Sequence, residues 1–104
     1  AGPWSTQVLA DLGADVVKVE APGRGDDTRA WGPPFLKGPD GTDEIGTSAY
    51  YLAANRNKRS IAVDFADPAG AALLRRLAAE ADIVVENFKV GGLAKYGLDW
   101  PSLK

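Results

Sequence analysis

The chain contains neither cysteine nor histidine. Without thiols it forms no disulfide and carries no thiolate chemistry, and without imidazole the usual zinc sites and the Ser-His and Cys-His catalytic pairs are excluded within these 104 residues. A surplus of positive charge is also missing, because 12 basic and 14 acidic side chains give a net charge of −2. Nucleic-acid binding proteins hold the phosphate backbone with an excess of Lys and Arg. We therefore expect neither a metal nor a nucleic-acid partner.

Long hydrophobic runs are absent as well. No apolar stretch approaches the ~18 residues that span a bilayer, and no basic segment followed by an apolar one marks the N-terminus as a signal peptide. A hydrophobic content of 45% with 25% charged residues is ordinary for a soluble globular protein. The composition therefore predicts a cytoplasmic protein with no membrane partner, in which the 104 residues form one small domain.

Helical and β patterns alternate along the chain. β-branched runs at residues 15–20, 60–64 and 82–86 predict three buried parallel strands. Residues 21–47 are rich in Gly, Pro and Asp and predict a long loop, after which Thr47 is expected to cap a short helix. Four apolar residues at helical spacing predict a first helix that ends at Gly13: Trp4, Val8, Leu9 and Leu12.

Another helix is predicted to begin at Asp67, with Pro68 in its first position. Its expected apolar stripe is Leu73, Leu74, Leu77 and Ala81, and its expected water-facing residues are Arg75, Arg76 and Glu80. The alternation of elements predicts an α/β fold with a three-layer, doubly wound and mostly parallel sheet. No residues precede the first helix to form the strand that should come before it, so we expect the sheet to be incomplete and the chain to be truncated.

Polar segments follow each predicted strand. Since the carboxyl ends of parallel strands meet at one edge of a sheet, we expect Glu20, Asp64 and the turn around Asn87 to gather there. Helix N-termini at that edge offer free N–H groups to an anion, so a nucleotide-like ligand is favoured. Neither a G-x-G-x-x-G segment nor a Walker sequence is present, and the ligand must therefore be held by other residues.

Six segments in the same order and spacing resemble the class III CoA-transferase family. They are residues 1–4 (AGPW), 9–20 (LADLGADVVKVE), 25–26 (GD), 57–60 (NKRS), 64 (D) and 82–88 (DIVVENF). The family includes formyl-CoA transferase, carnitine and dicarboxylate CoA-transferases, and α-methylacyl-CoA racemase. The resemblance covers nearly the whole chain and implies that residues 1–104 are part of the N-terminal, Rossmann-like, CoA-binding domain of a larger enzyme.

The resemblance also implies an activity. The parent enzyme would move CoA from an acyl-CoA to a carboxylic acid acceptor, through a nucleophilic Asp expected downstream of Lys104, and would form an interlocked homodimer. No catalytic residue is therefore assigned to this chain, and the fragment alone is expected to be inactive. The residues that the resemblance implies for binding coenzyme A are Ala1, Val63, Asp64, Phe65, Ala66, Asn87, Phe88, Lys89 and Lys95.

Two positions depart from the family pattern, since alanines at positions 21 and 66 stand where members often carry Arg and Lys. Arg24, Arg29 or the pair Lys58 and Arg59 could compensate for the missing charge. Lys95 stands where formyl-CoA transferases carry an arginine, which keeps the charge but loses bidentate geometry.

Other interpretations of the same residues stay open at this point. Asn87 is a common turn residue, Phe88 is of a type more often found in a core, and residues 57–59 are typical of a solvated turn. Two alternatives also stay open for the whole chain. It could be a fragment of an α-methylacyl-CoA racemase, an enzyme that uses a His and Asp pair to move the α-proton. It could also be a non-catalytic α/β module.

Overall fold

The structure, a computed structural model, describes residues 2–104. Contacts divide the chain into two compact units, a first unit of Pro3–Ala62 and a second unit of Val63–Lys104 together with Gly2. Within the described residues, no helix has both the length and the apolar character that crossing a membrane requires.

The first unit contains two helices and four strands. They are α1 (Gly2–Asp11), β1 (Val16–Glu20), β2 (Phe35–Lys37), β3 (Asp43–Ser48), α2 (Ala49–Asn55) and β4 (Lys58–Ala62). The first predicted helix is confirmed, and the chain leaves it at Gly13, whose N–H donates to the carbonyl of Ala10 at 3.0 Å. The apolar face predicted for this helix is exposed, with Leu12 at 81%.

The predicted parallel pairing is confirmed for β1 and β4. Val16 lies opposite Lys58 at one end of the pair and Glu20 opposite Ala62 at the other. β4 begins at Lys58, two residues before the predicted Ser60. The ammonium group of Lys58 has three hydrogen-bond acceptors within the first unit. Its Nζ donates to the carbonyls of Pro3 (2.8 Å) and Ala54 (2.9 Å) and to Asn55 Oδ1 (2.9 Å).

The long loop predicted for residues 21–47 is wrong in part. β2 and β3 form an antiparallel pair within it, and residues Asp27–Ala30 form a 3-10 turn. Asp40 closes the hairpin locally, since its Oδ1 accepts from the N–H of Thr42 at 3.0 Å. The composition did not predict these strands because they are short and β3 starts with charged residues. Backbone hydrogen bonds and the ion pair between Lys37 and Asp43 (2.6 Å) hold the two strands together.

Helix α2 is capped by Ser48 and not by the predicted Thr47. Ser48 is completely buried. Its Oγ accepts from the N–H of Tyr51 at 3.0 Å and donates to the carbonyl of Thr28 at 2.6 Å. Ser and Thr are comparable caps, so local sequence did not distinguish two adjacent candidates.

The second unit contains α3 (Pro68–Ala79), a 3-10 turn (Ala94–Tyr96) and α4 (Trp100–Leu103). The predicted start of α3 is confirmed, because Asp67 Oδ1 accepts from the N–H of Ala69 at 2.7 Å. The helix begins directly on the preceding turn, and a Cβ at Gly70 would lie 1.9 Å from the carbonyl oxygen of Asp64. The buried apolar residues of this unit are Ala71, Leu93 and Leu98.

The third predicted strand, at residues 82–86, is wrong. Within the described chain these residues form no strand, and Ile83 is 66% exposed. An apolar run predicts a strand only if a neighbouring strand accepts its backbone hydrogen bonds, and residues 82–86 have no such neighbour in the part of the chain described. The observed fold class is a small α/β chain with a two-stranded parallel sheet and a separate antiparallel pair.

Candidate functional site

A concave surface lies in each unit. The first-unit cavity, of about 420 Å³, lies at the carboxyl ends of β1 and β4, where Glu20, Arg29 and Ser60 line it together with loop glycines. The second-unit cavity, of about 220 Å³, is lined by the start of α3 and by the 3-10 turn, with the side chains Phe65, Arg75, Lys95 and Tyr96. The two cavities differ in whether their Lys and Arg side chains are paired with carboxylates, and this difference decides which cavity suits an anion.

Glu20 organises the first-unit cavity. Its Oε2 accepts from Arg29 Nε at 2.7 Å and from the N–H of Asp26 at 3.0 Å. Its Oε1 accepts from Tyr51 Oη at 2.7 Å and from Ser60 Oγ at 2.8 Å. The carboxylate is therefore surrounded by donors from three separate parts of the first unit: the loop after β1, α2 and β4.

These donors set the ionisation of the cluster. Burial alone would raise the pKa of Glu20, but the hydrogen bonds from Arg29, Tyr51 and Ser60 outweigh burial and lower that pKa to about 2. Burial and the hydrogen bond to the Glu20 carboxylate raise the pKa of Tyr51 to about 12. At neutral pH Glu20 is a carboxylate and Tyr51 a neutral donor, so the cluster is a fully engaged ion pair and not a proton-transfer pair.

A glycine allows this cluster to close. Gly25 has φ of +71°, and a Cβ there would lie 2.8 Å from Arg29 Cδ and 2.9 Å from Glu20 Oε2. The loop continues into Asp26, which accepts from the N–H of Thr28 at 2.8 Å and pairs with Lys18 Nζ at 2.5 Å. The contacts are those of a folded structural loop.

The positive side chains of the first unit are already paired. Arg24 pairs with Asp27, Arg29 with Glu20, and Arg59 with Asp15 at 2.5 Å. Lys58 is held by the three oxygen acceptors described above. The cations proposed from the sequence to compensate for Ala21 and Ala66 therefore all have internal acceptors, and the first-unit cavity has no surplus positive charge.

The second-unit cavity has an aromatic wall. The rings of Phe65 and Tyr96 meet edge to face with centroids 5.0 Å apart and an interplanar angle of 71°. Phe88 packs edge-on against Phe65 at 5.7 Å and 90°. Three aromatic residues distant in sequence thus converge at the start of α3, and one of them, Phe88, is 52% exposed.

The same cavity carries two cations without carboxylate partners among residues 2–104. Arg75 Nη1 donates to the carbonyl of Tyr96 at 2.9 Å, and Lys95 Nζ lies 4.7 Å from the centroid of the Tyr96 ring. The prediction that Arg75 simply faces water is incomplete, because Arg75 lines this cavity. Arg75 follows Pro68 by seven residues and Ala71 by four, so the three residues lie on the same face of α3, the face that lines the cavity. The sequence analysis oriented α3 by its leucines and did not identify this face.

Nearby carboxylates do not neutralise these cations. Asp64 accepts from the N–H of Ala66 at 2.8 Å, and Glu86 accepts from the N–H of Phe88 at 2.7 Å. Asp67 caps α3. Over residues 2–104 no group of three or more carboxylates is placed to hold a metal ion.

The residues that the sequence analysis assigned to coenzyme A fall mainly around this cavity. Three of them line it, namely Phe65, Ala66 and Lys95. Phe88 reaches it through Phe65, and Val63 and Asp64 form the turn beneath Gly70. Asn87 and Lys89 are exposed and do not line it. Ala1 lies outside the described residues.

The sequence profile of CoA-transferase family III matches residues 1–104, the full length of the chain. The chain belongs to this family. Its similarity to other members of CoA-transferase family III extends over every element described above. It is 62% identical over 104 residues to the succinate–glutarate CoA-transferase of Agrobacterium fabrum, and 52% identical over 103 residues to the succinyl-CoA:glutarate CoA-transferase of Homo sapiens.

The fold is likewise that of family relatives. A crystal structure of a CAIB/BAIF family protein from Brucella suis superposes with a TM-score of 0.87 at 60% sequence identity, covering 99% of this chain and 26% of that one. The chain spans 26% of the Agrobacterium relative and 22% of the human one, or about a quarter of their length.

Proposed function

We propose that this chain is part of a longer CoA-transferase, called the parent protein below, which moves CoA between dicarboxylic acids. The observation that carries the proposal is the 62% identity, along all 104 residues, to a succinate–glutarate CoA-transferase. The human relative, with a corresponding name, is 52% identical over nearly the whole chain. The substrates proposed are therefore an acyl-CoA and a carboxylic acid acceptor, with succinyl-CoA and glutarate as the first pair to test.

Within the parent protein, the second unit contributes the site for the nucleotide of coenzyme A. The second-unit cavity supports this role because it joins cations without carboxylate partners, suited to phosphate, to the half-buried aromatic rings of Phe65 and Tyr96, suited to a base. Asn87 also supports it, since its amide forms no hydrogen bond among the described residues and is exposed to a ligand. Val63, Asp64 and Ala66 form the turn at the start of α3, and Lys89 is a further exposed cation.

The chain is further proposed to be one part of a Rossmann-like, three-layer domain. Exposed apolar side chains support this, because Leu12 on α1 and Ile83 and Val84 in the segment after α3 would be costly to leave in water. In the parent protein other segments would cover them and supply a strand beside residues 82–86. The interlocked homodimer and the cytoplasmic location stay predictions from the sequence.

The nucleophile is proposed to lie outside these 104 residues. The described carboxylates of both cavities support this assignment. Glu20 is held by several donors in the first-unit cavity, and Asp64 accepts a backbone N–H beside the second-unit cavity. A carboxylate nucleophile needs an accessible, unengaged oxygen next to the thioester.

The test is a transfer assay with the purified parent protein. Succinyl-CoA and glutarate are mixed with the protein, and glutaryl-CoA is followed by chromatography and mass spectrometry. The expected result is glutaryl-CoA formation with release of an equal amount of succinate. Epimerisation of a 2-methylacyl-CoA without any transfer would identify a racemase instead, and a parent protein that neither binds nor converts CoA esters would be a non-catalytic module.

A further inference from the structure

Arg75 and its neighbour Arg76 differ in their position relative to the second-unit cavity. Both are cations on α3 without a carboxylate partner among residues 2–104. Arg75 lines the second-unit cavity and is held by the carbonyl of Tyr96, whereas Arg76 lines neither of the two cavities described here. The two residues therefore form a natural pair of test and control.

We propose that Arg75 is a specificity-determining residue that binds a phosphate group of the coenzyme A nucleotide, together with Lys95, across the second-unit cavity. The inference rests on the proposed function, since it names a ligand group for the same site. Nothing in the sequence comparison assigns a role to Arg75.

Geometry supports an oxyanion ligand for Arg75, and the phosphates are the oxyanions of the coenzyme A nucleotide. The hydrogen bond from Arg75 Nη1 to the Tyr96 carbonyl fixes the guanidinium in place, and the other nitrogens, Nε and Nη2, make no hydrogen bond among the described residues. A guanidinium presents its N–H groups as a planar fork that matches two phosphate oxygens. Lys95 adds a second, compact positive charge on the same wall of the cavity.

Charge in the rest of the molecule supports the same conclusion. In the first unit, six of the seven Lys and Arg side chains pair with carboxylates, and Lys58 is held by oxygen acceptors. In the second unit none of the Lys and Arg side chains of the described residues has such a partner, and Asp64, Asp67 and Glu86 accept from backbone N–H groups. Of these second-unit cations, Arg75 and Lys95 are the two that line the aromatic cavity.

Coenzyme A carries two kinds of phosphate, the 3′-phosphate on the ribose and the diphosphate that links to pantetheine. Both present the oxygens that a guanidinium binds. The two sources are separated by comparing coenzyme A with dephospho-CoA, which lacks only the 3′-phosphate. Pantetheine, which lacks both, reports on the rest of the site.

The experiment measures dissociation constants by calorimetry for the parent protein and its Arg75→Ala, Arg75→Lys and Arg76→Ala variants. We expect Arg75→Ala to weaken coenzyme A binding by about 10- to 100-fold, as for loss of a hydrogen bond between charged groups. Arg75→Lys is expected to recover part of the loss, Arg76→Ala to bind like the wild type, and pantetheine binding to be unchanged in all variants. Circular dichroism spectra that match the wild type show that each variant is folded.

The outcomes are distinct. A loss confined to coenzyme A assigns Arg75 to the 3′-phosphate, and an equal loss with dephospho-CoA assigns it to the diphosphate. Equal affinities of Arg75→Ala and Arg76→Ala for coenzyme A would overturn the inference and leave the proposed function intact. A wild-type parent protein that does not bind coenzyme A would instead contradict the proposed function itself.

Discussion

At the residue scale, the carboxylate of Glu20 holds the polar cluster of the first unit together. Its side chain is only 4% exposed, yet it is ionised, because Arg29, Tyr51 and Ser60 all donate to it. A buried charge is tolerated when such donors replace the lost water. The Glu20 cluster thus ties β1, the loop after it, α2 and β4 into one unit.

Replacing Glu20 with Gln tests this role. The amide group of Gln would face the N–H groups of Arg29, so we expect the variant to lose about 3 kcal/mol of local stability. Hydrogen exchange at the amides of β1 and α2 in the parent protein measures that loss. Asp15→Asn is the control, because it removes an exposed ion pair with Arg59 and is expected to change exchange little. Equal protection in Glu20→Gln and the wild type would contradict the assigned role.

The pH dependence of stability follows from the same cluster. The folded pKa of Glu20, about 2, lies below its ordinary value of 4.5, so its contribution is present above pH 4.5 and is lost as the pH falls toward 2. The folded pKa of Tyr51, about 12, lies above 10, so its contribution is present below pH 10 and is lost as the pH rises toward 12. The difference in unfolding midpoint between the wild type and Glu20→Gln should narrow as the pH falls from 7 to 3. A constant difference in midpoint would refute the linkage.

Sequence reasoning reached only part of this chemistry. It placed Glu20 at the carboxyl end of a strand. It did not find Tyr51 as a partner of Glu20, because the two residues are 31 positions apart and their contact depends on how α2 packs. Arg75 was missed because hydrophobicity alone was used to orient α3.

At the scale of elements, α3 is positioned by Gly70. A glycine inside a helix ordinarily costs up to about 1 kcal/mol relative to alanine. Here the helix lies so close to the carbonyl of Asp64 that a Cβ would come within 1.9 Å of it. The turn at residues 63–66 and the start of α3 therefore depend on the absence of a side chain at this position.

Substituting Gly70 with Ala is expected to destabilise the parent protein by about 1–3 kcal/mol, in spite of the better helix propensity of alanine, because the helix must move away from the turn. Coenzyme A affinity should fall with it, since Phe65 and Ala66 lie on that turn. Calorimetric unfolding and ligand titration measure both effects. Ala72→Ser, at an exposed position of α3, serves as the control. A stabilised Gly70→Ala protein would show that the close approach does not matter.

The elements also show where pattern reasoning works and where it fails. α1, the start of α3 and the parallel pairing of β1 with β4 could be predicted because caps, period and β-branched runs are local signals. The β2–β3 hairpin and the non-strand conformation of residues 82–86 could not be predicted, since strand pairing depends on which backbone segment is available as a neighbour. A strand pattern predicts the conformation that a segment favours but does not identify its partner.

At the scale of the whole molecule, we propose that the chain contributes a binding surface and lacks the reacting group. The purified 104-residue chain should therefore show no turnover of succinyl-CoA with glutarate, while the parent protein does. A coupled assay for free succinate measures this, with heat-denatured parent protein as the background. Turnover by the pure chain above that background would place the nucleophile within it.

The most direct test of the central claim, that the second unit holds the coenzyme A nucleotide, is hydrogen–deuterium exchange of the parent protein with and without coenzyme A. The account predicts slower exchange in peptides that cover residues 63–68 and 87–96, with pantetheine reproducing little of the effect at residues 63–68 and at Lys95. Slower exchange confined to peptides outside the second unit would contradict it.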